Sequence, residues 1–125
     1  MLNILVVDDE IDILETIVDT LEIEFDPSKV TIAQAINGVE ALALFNNGEQ
    51  VFDLVVTDLN MPEMDGIELT QKLKEIRSDL SVIVFTGHGD LEENHKLEEL
   101  GVLAMIKKPY VEELVQTVIK SIPQT

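Results

Sequence analysis

Alternation of short β-branched runs with longer stretches of helical period predicts an open, doubly wound parallel α/β sheet, because each run and the stretch after it reads as one βα unit. Several of the runs are apolar almost end to end, as strands covered by helices on both faces must be. A third observation joins fold to function. Asp8, Asp9, Asp58, Thr86 and Lys108 all stand where a strand-like run ends, and sheets of this class bind ligands at the carboxyl ends of their strands.

The first unit is a strand from Ile4 to Val7, then a helix whose Ile11, Leu14, Val18 and Leu21 recur at helical spacing. Val30 to Ala35 forms the second strand. Asn37 with Glu40, an N-cap side chain with an acid three residues later, starts the helix after it. The third strand runs from Leu54 to Thr57, and Asp65 with Glu68 opens a helix carrying Leu69, Leu73 and Ile76. Val82 to Phe85 is the fourth strand. The helix between Asp90 and Leu100 is the weakest, with Leu91, Leu97 and Leu100 as its strong apolar anchors, and is expected to be the most mobile segment. Ala104 to Ile106 is the fifth strand. The last helix shows the clearest stripe, Val111, Leu114, Val115, Val118, Ile119 and Ile122, and should end before Pro123.

No internal repeat or linker-like stretch divides the chain, so residues 1–125 are expected to form one right-handed, doubly wound domain. With 46% hydrophobic residues and no low-complexity segment, the composition is that of a folded protein. The formal charge of -17, from 25 acids against 8 bases, argues against direct nucleic-acid binding and against anionic lipid, where Lys and Arg supply the affinity. Absence of cysteine removes disulfide and thiolate chemistry and is compatible with a reducing compartment. The amino-terminal segment lacks the marks of a signal peptide. No apolar run approaches the roughly 18 to 20 residues of a membrane span, so no membrane insertion is expected. A cytoplasmic location is the simplest expectation.

Asp8, Asp9 and Asp58 are three carboxylates at two strand ends. An acid pair at a helix start can serve merely as a cap, but three adjacent acids repel one another and call for a cation. Oxygen ligands suit Mg²⁺, or Mn²⁺, both of which favour phosphate oxygens. Zinc is disfavoured, because His88 and His95 have neither cysteine partners nor metalloprotease spacing. Thr86, followed by Gly87, offers a hydroxyl to a phosphoryl oxygen, and Lys108 offers an ammonium.

Together these segments resemble the receiver domain of two-component response regulators, the stand-alone chemotaxis type included, over essentially the whole chain. The matching stretches are Val6-Val7-Asp8-Asp9-Glu10, Asp58-Leu59-Asn60-Met61-Pro62-Glu63-Met64-Asp65-Gly66, Thr86-Gly87-His88-Gly89 and Lys107-Lys108-Pro109. The resemblance implies a flavodoxin-like (βα)5 sheet in strand order 2-1-3-4-5. It implies that Asp58 accepts a phosphoryl group from a sensor histidine kinase or histidine phosphotransfer protein, and that the switch then controls a downstream protein or output domain. Asp9, Asp58 and the Asn60 main-chain carbonyl would hold Mg²⁺, with Asp8 acting through water. Thr86 and Lys108 would bind the phosphoryl oxygens, and a cis Lys108–Pro109 bond is usual. Slow autodephosphorylation would make the chain a self-limiting switch, not a metabolic enzyme.

One position departs from the family pattern. Three residues before the site lysine an aromatic is usual, and here Met105 stands there, a flexible thioether in place of the ring that couples to Thr86. His88 is either a tuner of water access to the acyl phosphate or an ordinary loop histidine. Two rival functions stay open at this point. A haloacid-dehalogenase-like Mg²⁺-dependent phosphohydrolase would need an acid two residues after Asp58, where Asn60 stands. A phosphorylation-independent pseudo-receiver would be expected to have lost a site residue, whereas all five are present.

Overall fold

A computed structural model describes residues 2–48, 51–87 and 89–121. The elements run β1 Leu2–Val7, α1 Ile11–Glu24, β2 Val30–Ala35, α2 Gly38–Asn46, β3 Leu54–Thr57, α3 Gly66–Ile76, β4 Ser81–Thr86, α4 Leu91–Leu100, β5 Ala104–Lys107 and α5 Val111–Ser121. All four strand pairings are parallel, in the order β2-β1-β3-β4-β5. The expected (βα)5 architecture is therefore present. Register aligns Val7 with both Ala35 and Thr57, and Thr57 with Val84, so β1, β2, β3 and β4 end on nearly one level.

Burial explains why the strands read as they do. The continuously apolar β1, β3 and β4 are interior strands, and their alternate side chains enter two different cores. On one face Ile4, Val6, Val56 and Phe85 meet Leu14, Ile17 and Leu21 of α1 and Leu114 and Val118 of α5. On the other, Leu5, Val7, Val55 and Val82 meet Ala41 of α2 and Leu69 and Leu73 of α3. A smaller cluster of Leu59, Val84 and Leu97 seats α4. The edge strands β2 and β5 are mixed in burial, as one uncovered flank allows.

Three helices differ in detail from the stripes that predicted them. Ile11 and Ile76 are 57% and 51% exposed because each is the terminal residue of its helix, where the stripe has run past the sheet. Leu91 is likewise exposed, leaving Leu97 as the buried residue of α4. That helix is held at its ends instead. Asp90 and Glu93 form a reciprocal capping box, and Gly101 takes the left-handed conformation at φ 80° that closes its carboxyl end. Asn37 and Asp65 accept from the Glu40 and Glu68 amides, as the cap signals required. Ile122, Pro123 and His88 lie outside the described residues.

Candidate functional site

Asp8 and Asp58 follow β1 and β3 directly, and both are almost fully buried. These neighbouring strands flank the point where chain winding reverses, from β2 on one side of β1 to β3 on the other. Lys108 follows β5 across the sheet and reaches back over β4's end. Its Nζ donates to Asp8 Oδ2 and Asp58 Oδ2, each at 3.0 Å, and to Glu10 Oε1 at 2.9 Å. Three strand ends thus deliver one cluster, and the Lys108–Pro109 bond is cis.

The remaining oxygens are held by the main chain. Asp8 Oδ1 accepts the Glu10 amide at 2.9 Å, and Asp58 Oδ1 accepts the Leu59 amide at 2.7 Å. Burial raises the Asp8 pKa above the ordinary carboxylate value, with the nearby Asp58 charge adding to it, against hydrogen bonds from Glu10 and Lys108 that pull it down. Burial works against the Lys108 ammonium, yet its bonds to Glu10, Asp8 and Asp58 prevail and hold its pKa above that of a free lysine. It is a fixed cation.

The loop from Asp58 to Gly66 is built for close approach. The Thr57 hydroxyl donates to the Asp58 carbonyl at 2.9 Å from a fully buried position, and the Gly66 amide donates to the Leu59 carbonyl at 2.7 Å. A Cβ on Gly66 would collide with the Asp58 carbonyl oxygen and crowd Leu59 Cα, so only glycine lets α3 begin there. Between these anchors Glu63 adopts φ 69°, and the Met64 amide bonds to the Pro62 carbonyl two residues back at 2.8 Å, making a tight turn.

Thr86 is the last residue of β4, and its carbonyl accepts the Lys108 amide at 2.9 Å. Met105 on β5 is partly buried against the Leu59, Val84 and Leu97 cluster. A cleft of about 630 Å³ separates this region from the start of α4, lined by Asn60, Thr86, Gly87, Asp90, Asn94 and Met105 among others.

Not every candidate joins the cluster. The carboxylates lying within 4.8 Å of one another are Asp8, Glu10 and Asp58, whereas Asp9 is exposed and outside that group. Glu10 is the residue that sequence reasoning did not single out: it stood only as the end of the matching stretch after Asp9, in a chain with 25 acids, and its partner lies 98 residues away. A weak signal existed in its place at the N-cap of α1, since glutamate is not among the favoured caps. Its side chain in fact makes no cap bond. The all-oxygen set of two buried carboxylates and a third beside them fits a hard divalent cation such as Mg²⁺.

Such a domain, a doubly wound sheet with an acid and lysine pocket at its switch point, is of the flavodoxin-like class. The chain matches the response regulator receiver domain family over residues 4–120. It is 36% identical over 91 residues to sporulation initiation phosphotransferase F of Bacillus subtilis, covering 72% of this chain and 72% of that protein. It is 30% identical over 96 residues to the sensor histidine kinase CheAY of Helicobacter pylori, covering 75% of this chain but 12% of that much longer protein. A CheY-like receiver domain protein from Methanospirillum hungatei superposes with a TM-score of 0.87 at 30% identity, over 97% of this chain and 93% of the other. The protein belongs to the response regulator receiver domain family of two-component phosphorelay signalling.

Proposed function

We propose that the protein is a phosphorylation-activated switch in which Asp58 accepts a phosphoryl group from the phosphohistidine of a sensor histidine kinase or phosphotransfer protein. The observation that carries this reading is the buried Asp58 carboxylate, within 3.0 Å of a lysine fixed by Asp8 and Glu10, at the mouth of the sheet. An Asp58 carboxylate oxygen attacks phosphorus, the P–N bond of the donor breaks, and its electron pair returns to the imidazole nitrogen. Asp58 becomes a mixed anhydride, and one negative charge is replaced by about two.

The residues divide the work. The Leu59 amide orients Asp58 through Oδ1, and Lys108 and Thr86 bind the transferred oxygens. Asp9, Asp58 and the Asn60 main-chain carbonyl would hold Mg²⁺, with Asp8 assisting through water. When bound, the cation supplies the charge neutralisation that lets an anionic donor approach an acidic pocket. Hydrolysis of the anhydride by water later returns Asp58 to its carboxylate. Turnover of this kind resets a switch and yields no metabolic product.

For output, Thr86 moves toward the phosphoryl group and Met105 repacks beside the cleft, shifting the population of the β4, α4 and β5 surface. The contact of Met105 with the cluster containing Leu97 supports this route, since Leu97 seats α4. Thr86→Ala should be phosphorylated nearly as well as wild type yet lose phosphorylation-dependent partner binding; unchanged binding would overturn the route. The donor docks over exposed Ile11 and Tyr110, at the start of α1 and after β5, on either side of the pocket. Charge substitutions on the exposed face of α1 should alter the transfer rate from the cognate kinase.

The deciding experiment is intact mass after incubation with acetyl phosphate or phosphoramidate, with and without Mg²⁺, on wild type and Asp58→Asn. A single Mg²⁺-dependent phosphoryl adduct, absent from the variant, is expected. No adduct at all, with Mg²⁺ binding verified and phosphate release excluded, would point to a pseudo-receiver.

A further inference from the structure

We infer that Glu10 is a displaceable latch on Lys108, a positioning residue that competes with the incoming phosphoryl group and so sets how readily Asp58 is phosphorylated. The inference rests on Asp58 being the phosphoacceptor.

A lysine ammonium has three N–H donors, and among the described residues Lys108 has three carboxylate partners at 2.9 to 3.0 Å: Asp8, Glu10 and Asp58. It therefore has no donor in reserve. A phosphoryl group brings three strong acceptor oxygens, and for Lys108 to engage one of them a resting partner must let go. Asp58 is the reacting group itself, and its side chain is 5% exposed. Asp8 is 1% exposed and also fixed by the Glu10 amide. Each is buried, so exchanging its Lys108 bond for water costs more than at an exposed carboxylate.

Glu10 is different on each count. Its side chain is 60% exposed, so water replaces the Lys108 bond at little cost. It occupies the N-cap of α1 without making a cap bond. Once released, its carboxylate lies beside first-turn amides that lack helical partners and beside the positive end of the helix dipole. The side chain thus has two favourable places, on Lys108 at rest and at the head of α1 when the phosphoryl group has arrived. Its nearness to Asp8 and Asp58 could instead make it a cation ligand, and the two roles predict opposite responses to its removal.

The test compares wild type, Glu10→Gln and Asp12→Asn. Asp12 is an exposed acid in the same first turn that makes no bond to Lys108, so its neutralisation controls for general charge. At saturating Mg²⁺, Glu10→Gln should be phosphorylated by acetyl phosphate about threefold faster than wild type, the scale of a lost, partly exposed ion pair. Asp12→Asn should change far less. Calorimetry on the unphosphorylated proteins should give Mg²⁺ affinities for wild type and Glu10→Gln that lie close together. A fall in affinity of about tenfold or more, the mark of a lost metal-site residue, with slower phosphorylation, would overturn the latch. Equal acceleration in Asp12→Asn, or unchanged rates in Glu10→Gln, would overturn it too. If wild type itself takes no phosphoryl group, the switch reading fails and this inference with it; if wild type reacts and Glu10→Gln matches it, only the latch fails.

Discussion

Asp8 is buried beside Asp58, and among the described residues Lys108 and the Glu10 amide offset the cost of its charge. Neutralising it removes a desolvated, mutually repelling anion while an amide oxygen can still accept from Glu10. Metal-free Asp8→Asn should therefore unfold at a higher urea concentration than wild type at neutral pH, and a lower midpoint would show that its bond to Lys108 outweighs burial. Gly66 sets a limit of the opposite kind. A Cβ built on it would lie so near the Asp58 carbonyl oxygen that any side chain must push the loop after Asp58 away. Gly66→Ala should cost about 1 to 3 kcal/mol, the usual penalty of overpacking, and should depress phosphorylation more than its loss of stability explains. At this scale sequence reasoning singled out Asp8, Asp58 and Lys108, which the structure brings into contact, because each ends an apolar run; Thr86, singled out on the same ground, lines the adjoining cleft. It did not single out Glu10, whose bond to Lys108 crosses 98 positions.

Among the elements, α4 shows how stripe reading and packing part company. Leu91 and Leu97 look alike as anchors in sequence, yet Leu91 is 74% exposed and Leu97 is completely buried against Leu59 and Val84. Leu97→Ala should cost about 2 to 5 kcal/mol in urea unfolding, whereas Leu91→Ala should stay within about 0.5 kcal/mol of wild type. Equal effects would mean that α4 is seated differently. Since Leu97 shares its cluster with Met105, the same substitution tests whether α4 reads the state of β5. Periodicity places residues on a common helix face but does not tell where the sheet beneath it stops. For that reason Ile11 and Ile76, at helix ends, were legible as helical and not as exposed.

For the whole molecule, the charge of -17 is the dominant long-range term. Sixteen of the acids fall within residues 1–71 with Lys29 as the lone base there, so the amino-terminal part of the chain repels itself. Monovalent salt should therefore raise the urea midpoint between low and physiological ionic strength, and an unchanged midpoint would show that these charges already sit too far apart to matter. A cation that binds only the folded chain should add about 2.7 kcal/mol at one hundred times its dissociation constant, and titrating Mg²⁺ into the same unfolding experiment measures it. The alternation of units and the apolar interior strands made the layered architecture legible. Strand order was not contained in periodicity, which carries no information on which strands are neighbours; it came through the resemblance carried by the site motifs.

The bonds from Lys108 to Asp58 and Glu10 span 50 and 98 positions. A chain emerging from the ribosome has Asp58 long before it has Lys108. Until residue 108 folds back over β4 the cluster of Asp8, Asp58 and Lys108 cannot close, so a half-folded copy lacks the site on which the proposed phosphotransfer depends. Under the proposed switch, competence to receive a signal is in this sense a certificate of complete folding, issued by the last strand in the sequence.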